Sequence, residues 1–341
     1  MKALVYQGPK QLEIVERPIP TIQKGEVLIK IKSCGICGSD VHGYLGLTGR
    51  RTAPMVMGHE FSGEIVELGD GLTRSLHVGD RVTVQPCVSC WHCAKCDEGY
   101  NNVCETRDFM GVMDYDGAMM EYLSVPEKLI YTLPDDVSYD QGALIEPLAV
   151  AYSGVKKAGD LQGKNVVIIG GGTIGQLALL VAKTMNPKRV VLSDLSHFRL
   201  ETAKKFGADV TIDPKGKSFI EEVQKAFDGE CADVAIEAVG IGPTVAQALD
   251  SLAPQGTCVW IGNSAKTIEV NMQQVVTKEL KIAGSYIYTH EEFGETLDFL
   301  HKNQLDLSAL VSKEITLEEA PEMFNQLTTE TEKYLKCIIK F

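Results

Sequence analysis

No uninterrupted apolar run in the 341-residue chain is long enough to cross a bilayer, which excludes a membrane-spanning helix. The first residues, MKALVYQGPKQLEIVERP, lack the apolar core of a signal peptide, so the expected compartment is the cytoplasm. Basic side chains are in the minority: 33 against 46 acidic ones give a net charge of −13. That balance argues against binding a nucleic-acid backbone or an anionic membrane surface, although a local basic patch would still serve a small anionic substrate. There is no internal repeat and no low-complexity segment.

Cysteine, by contrast, is concentrated. Five of the ten cysteines fall between Cys87 and Cys104. In a reducing compartment such a cluster reads as a metal site before a disulfide framework. Two frames compete. Cys90, Cys93, Cys96 and Cys104 give C-x2-C-x2-C-x7-C, and a second run of cysteines spaced by three starts at Cys87. Four thiolates around Zn²⁺ make a closed tetrahedral site with no position for substrate, so the cluster is expected to be structural. His92 is either a substitute ligand or a solvent-facing ring.

The texture of the chain divides it. The first ~150 residues are strand- and turn-rich: EVLIKIKSCGI and GEIVEL alternate, and LHVGDRVTVQP is a turn feeding a short strand. From Lys164 strands and helices alternate, as in NVVIIGGG, TIGQLALLVAKTM, RVVLSD, RLETAKKFG and ADVAIEAVG. This is the pattern of an α/β, doubly wound parallel sheet. GTCVWIG, Gly256–Gly262, is expected to be its last strand and an edge able to pair across a dimer axis. From about Tyr286 the chain reads as helices and a final strand, YLKCIIKF.

Gly170, Gly172 and Gly175, with Thr173 and Ile174 between them, form G-x-G-x-x-G directly after an apolar strand and at a helix start. Such glycines let the backbone turn tightly and approach a pyrophosphate at the helix N-terminus. Asp194 lies at the end of the next strand, where its carboxylate would bond the ribose hydroxyls and repel a 2′-phosphate. The expected cofactor is therefore NAD rather than NADP. Arg199 either covers the adenine or is an exposed helix residue.

A catalytic metal keeps an open coordination position, usually with three protein ligands. Cys37 in CGICGSDVH, His59 and Glu60 in MGHEFSG, and Glu146 in LIEPLAVA offer a second set of donors. Together with GICGSDVH, MGHEFSGEI, VGDRV, the four-cysteine lobe, DGAMMEYLSVP, GALIEPLAVA, GGGTIG and SDL, they make the chain resemble the zinc-dependent medium-chain dehydrogenases along nearly its whole length. GALIEPLAVA resembles the polyol (sorbitol) and 2,3-butanediol dehydrogenase branch, with threonine dehydrogenases nearby.

The resemblance implies a GroES-like catalytic domain over 1–150 with a structural zinc lobe at 86–105, a Rossmann NAD-binding domain over 151–286, and a return to the catalytic domain over 287–341. It implies an active site between the two domains and a homodimer or homotetramer. It places catalytic zinc on Cys37, His59 and Glu146, with Glu60 able to approach the metal and exchange with water. It assigns structural zinc to Cys90, Cys93, Cys96 and Cys104, settling the frame against Cys87. Ser39 and His42 match the proton relay, and Asp40 a partner of the zinc-bound His59.

The expected activity is oxidation of a secondary hydroxyl of a polyol or vicinal diol, with hydride passing to NAD. Ile287 in GSYIYTH stands where sorbitol-type enzymes carry an Arg, which turns the expectation from sorbitol toward a smaller alcohol. Tyr44 reads as a pocket residue or as packing. Arg50 and Arg51 read as a solvated loop or as a reader of an anionic group, which would make the substrate a phosphorylated sugar alcohol of the galactitol-1-phosphate type. The remaining alternatives are a threonine-type amino-alcohol dehydrogenase, against which EPLAVA argues, and a non-catalytic binding protein on the same fold, which would not need Cys37, His59 and Glu146.

Overall fold

The computed structural model describes residues 1–341. The chain forms two compact units: Met1–Glu146 together with Thr289–Phe341, and Pro147–Tyr288. No helix is long and apolar enough to cross a membrane.

The first unit is built on a seven-stranded sheet. Its main path runs Ile130–Thr132, Arg81–Val84, Glu60–Leu68, Glu26–Ile36, Lys336–Lys340 and Val311–Thr316, and Tyr122–Pro126 also pairs with Glu26–Ile36. The alternating EVLIKIKSCGI is the central strand, with Val27, Ile29 and Ile31 wholly buried. Each such side chain contributes roughly 1.5–3 kcal/mol by leaving water. Phe61 and Ile65 on the neighbouring strand and Phe324 from helix Ala320–Thr329 join the same core.

The closing strand Lys336–Lys340 lies antiparallel to Glu26–Ile36, with Cys337 opposite Ile36. Its parallel neighbour Val311–Thr316 is a strand that the sequence pattern does not announce. Of its residues VSKEIT only Ile315 is buried, so no apolar stripe marks them.

The second unit is a six-stranded parallel sheet in the order Val210–Ile212, Arg189–Ser193, Asn165–Ile169, Ala232–Glu237, Leu252–Trp260, Lys281–Gly284. NVVII at its centre is buried at all five positions, as a strand covered on both faces must be. The expected edge is corrected here. GTCVWIG does not end the sheet, because Lys281–Gly284 pairs alongside it, Thr257 to Lys281 through Trp260 to Gly284. The strand KIAG is only four residues long and carries no apolar run, which is why its pattern is silent.

Candidate active site and metal centres

In the second unit the glycine loop follows strand Asn165–Ile169 and opens helix Thr173–Thr184. Gly170 has φ +101°, a left-handed conformation that suits glycine. A Cβ on Gly175 would overlap the carbonyl oxygen of Gly170, so the helix can approach the turn only because no side chain is there.

Asp194 braces the loop. Its Oδ2 accepts from the Gly171 amide at 2.6 Å and its Oδ1 from the Ser196 amide at 2.8 Å. Arg199 Nη1 lies 3.5 Å from the same carboxylate. Gln176, which no motif marks, is fully buried and donates to the carbonyls of Gly171 at 3.0 Å and Arg199 at 2.8 Å, tying turn to helix. Thr173 and Ile174 occupy the first helical positions, where the positive end of the helix dipole favours an anion.

In the first unit, the sulfurs of Cys90, Cys93, Cys96 and Cys104 lie within 4.8 Å of one another. Cys93–Cys96, Cys90–Cys96 and Cys93–Cys104 are separated by 3.6, 3.9 and 3.9 Å. A tetrahedron with Zn–S bonds of ~2.3 Å has edges of ~3.8 Å, so the four sulfurs fit zinc without rearrangement. Cys87 stands outside the group against Ser89, and burial pushes its thiol up to about 11. His92 is exposed, its Nδ1 on the Cys90 carbonyl at 2.6 Å.

The other cluster is assembled from separate segments. Cys37 caps helix Gly38–Tyr44, its Sγ accepting the Ser39 amide at 3.5 Å, while Asp40 Oδ2 accepts the Cys37 amide at 3.1 Å. This reciprocal cap fixes the thiol at the start of the helix. His59 and Glu60 enter strand Glu60–Leu68, and their ligand atoms lie within 4.8 Å of each other and of Cys37 Sγ. Glu146, in the first turn of helix Ile145–Lys157, is buried but is not part of that tight triad. It acts on Lys336, raising the lysine pKa after Glu60 and Cys37 do so.

Charge is packed densely here. Burial alone would raise the Asp40 pKa, but His59 and then Arg51 outweigh it and hold the carboxyl well below the usual range. Burial would likewise keep His59 neutral, yet Asp40 and Cys37 push its pKa well above the ordinary value. The pocket therefore stabilises positive charge strongly. With the His59 imidazole neutral, as a metal ligand must be, ionised Cys37, Asp40, Glu60 and Glu146 face two buried cations, Arg51 and Lys336. The excess of two negative charges is what a dication neutralises, and the mixed S, N and O donor set suits Zn²⁺.

Ser39 and His42 lie three residues apart on helix Gly38–Tyr44, half-buried and exposed respectively. Tyr44 belongs to the packing: its hydroxyl donates to Asn325 Oδ1 at 2.6 Å and its ring meets Phe324 at 5.5 Å. Arg50 is exposed. Arg51 fits neither of its two sequence readings, being buried with its Nη2 2.7 Å from Asp40 Oδ1. RRT reads as a loop because the acceptor that draws Arg51 inward lies on another element. Ile287 has φ +41°, an uncommon conformation for a β-branched side chain.

Residues 23–135 match the family described as alcohol dehydrogenase GroES-like domain, and residues 173–302 the family described as zinc-binding dehydrogenase. A D-xylulose reductase A of Aspergillus niger is 34% identical over 333 residues, covering 95% of this chain and 93% of that protein. The chain belongs to the zinc-binding alcohol dehydrogenases. Among solved structures of this kind, 2R,3R-butanediol dehydrogenase from Bacillus subtilis is 33% identical with a TM-score of 0.90, covering 100% of this chain and 99% of that one. Galactitol-1-phosphate dehydrogenase from Escherichia coli is 29% identical with a TM-score of 0.93, covering 100% of both chains. As a member of this family the protein is an NAD-dependent oxidoreductase that uses Zn²⁺. Its GroES-like and Rossmann-type architecture is the one the sequence resemblance implied.

Proposed function

We propose that this zinc-binding alcohol dehydrogenase oxidises a secondary hydroxyl of a neutral polyol or vicinal diol to a ketone. The observation that carries the reading is the triad of half-buried Cys37 with buried His59 and Glu60, and Ser39 on the adjoining helix, a metal-binding set beside a hydroxyl able to move a proton. The names of the xylulose reductase and the butanediol dehydrogenase support the substrate class.

Catalytic zinc would be held by Cys37, His59 and Glu146, and structural zinc by Cys90, Cys93, Cys96 and Cys104. Glu60 is engaged by Lys336, which favours Glu146 as the third ligand and leaves Glu60 as the residue that can exchange with water. Zinc held there would make the substrate hydroxyl easier to deprotonate, and NAD would supply the hydride acceptor. Ser39 takes the hydroxyl proton and hands its own to His42, whose exposed ring releases it to solvent. Gly170, Gly172, Thr173, Ile174 and Gly175 cradle the pyrophosphate, Asp194 holds the ribose, and Arg199 flanks the adenine. A homodimer or homotetramer in the cytoplasm completes the reading, with domain limits of 1–150, 151–286 and 287–341.

A phosphorylated substrate is the second reading, supported by the likeness to galactitol-1-phosphate dehydrogenase. The pairing of Arg51 with Asp40 counts against it, since that guanidinium is already committed. Initial rates of NAD⁺ reduction on butanediol stereoisomers, sorbitol, xylitol, threonine and phosphorylated hexitols decide between them. We expect turnover of neutral diols or polyols and poor turnover of the rest. Preference for a phosphorylated hexitol or for threonine would overturn the proposal.

A further inference from the structure

Arg51 is the one buried arginine whose partners are both placed at the candidate reaction site. Its Nη2 donates to Asp40 Oδ1 at 2.7 Å and to Ser39 Oγ at 3.3 Å. Asp40 Oδ1, in turn, lies 3.4 Å from His59 Nδ1. One guanidinium nitrogen thus touches the proposed relay hydroxyl and the carboxylate that faces the metal-binding imidazole. The cost of getting there is visible. Nε is buried with no hydrogen-bond partner, and the side chain passes over helix Gly38–Tyr44 at Gly43, where a Cβ would overlap Cδ, Nε and Cζ. Leaving a buried donor unmet is unfavourable by about 1–3 kcal/mol, so the Nη2 contacts hold the side chain against that cost.

We propose that Arg51 is a positioning residue for the alcohol oxidation, orienting Ser39 and, through Asp40, His59 with a single guanidinium group. The inference rests on the reading of Ser39 and His59 given above. A guanidinium only donates, so Ser39 Oγ must accept from it. The serine hydrogen is then turned away from Arg51, and the remaining lone pair is left for the substrate hydroxyl. The proton relay acquires a direction: substrate O–H to Ser39 Oγ, and the serine's own hydrogen onward to the His42 ring. The same cation lies directly against the Asp40 carboxylate, so it supplies positive charge to the site as well as hydrogen bonds.

The test uses the full-length protein with Co²⁺ in place of catalytic zinc, read by its visible spectrum without cofactor or alcohol, and the zinc enzyme read by the pH profile of kcat. In Arg51→Ala the field becomes more negative, so the midpoint of the kcat profile moves up by about one pH unit. We expect kcat to fall at least tenfold with the KM for NAD unchanged, and the cobalt bands to shift. Guanidinium chloride, entering the cavity of about 220 Å³ that Arg51 lines with Tyr6, Pro9 and Thr48, restores the midpoint and the bands. Gly43→Ala, which displaces the guanidinium without removing it, provides the same readings if Arg51→Ala does not fold. Bands and midpoint unmoved in the variant that folds would overturn the proposal, as would a loss of rate that tracks thermal stability alone and ignores guanidinium. Wild-type protein that takes up no Co²⁺ beyond the cysteine lobe would overturn the reading of the Cys37 site itself, and this inference with it.

Discussion

Lys336 and Glu60 form an ion pair sealed from solvent, with the lysine Nζ at 2.7 and 2.6 Å from the two carboxylate oxygens and 3.2 Å from the Ile36 carbonyl. The closing strand of the chain thereby delivers a cation beneath the metal-binding triad. Burial opposes the lysine's charge, but Glu60 and Cys37 outweigh it and raise its pKa.

Removing one partner of such a pair strands the other. Lys336→Met should cost about 3–5 kcal/mol of stability, and Lys336→Met with Glu60→Gln less than that. Urea unfolding of the three proteins measures it. Equal midpoints for wild type and the single variant would show that the pair contributes nothing.

Glu60 and Glu146 compete for the role of third ligand. With Glu60 held by Lys336, Glu146→Ala should lose one zinc equivalent per chain while Glu60→Gln keeps it. Metal analysis of the purified variants distinguishes them. The reverse pattern would make Glu60 the resident ligand.

His290 should make stability depend on pH. Burial first, then the charges of Arg74 and Lys128, hold its pKa at about 4, below the ordinary 6.5. Its ring is packed 4.3 Å from Trp91, and its Nδ1 meets the Tyr131 hydroxyl at 2.8 Å. Between pH 6.5 and 4 the unfolded chain binds a proton that the folded one refuses. The contribution is therefore complete above about 6.5 and declines as pH falls, by about 3 kcal/mol at pH 4. His290→Gln should remove that part of the slope. Unfolding free energies with the same pH dependence in both proteins would contradict the assignment.

Asp194 accepts two backbone amides besides any ribose contact. Asp194→Ala should lower kcat/KM for NAD by about 10–100-fold, the equivalent of one or two hydrogen bonds to a charged acceptor, and raise the relative use of NADP. An unchanged cofactor ratio would remove Asp194 from cofactor selection.

Features confined to one short stretch were legible in the sequence. The glycine loop needs only a strand, a turn and a helix in succession, and its glycines carry their reason in local geometry. The cysteine lobe likewise gathers its four sulfurs within fifteen residues, Cys90 to Cys104. Cys37, His59 and Glu146 are scattered: the chemistry of their side chains made them candidate donors, and the resemblance gave them a common zinc. Nothing local marks Gln176, because its acceptors are carbonyls, and nothing local gives Arg51 its partner, because Asp40 lies on a neighbouring helix. The strand Val311–Thr316 was hidden for another reason: it lacks the apolar alternation by which a half-buried strand is read.

By itself the sequence determined the alternation of strand and helix that folds the Rossmann-type unit, the nucleotide loop and the donor types for two metals, since each follows from periodicity or from the chemistry of adjacent residues. Tertiary structure alone decided the charge arrangement around the Cys37 cluster. Lys336 reaches Glu60 across 276 residues of chain, and Arg51 reaches Asp40 only where Gly43 leaves room. Which cation meets which carboxylate in a buried pocket depends on how distant strands and helices pack, and sequence spacing does not encode that packing.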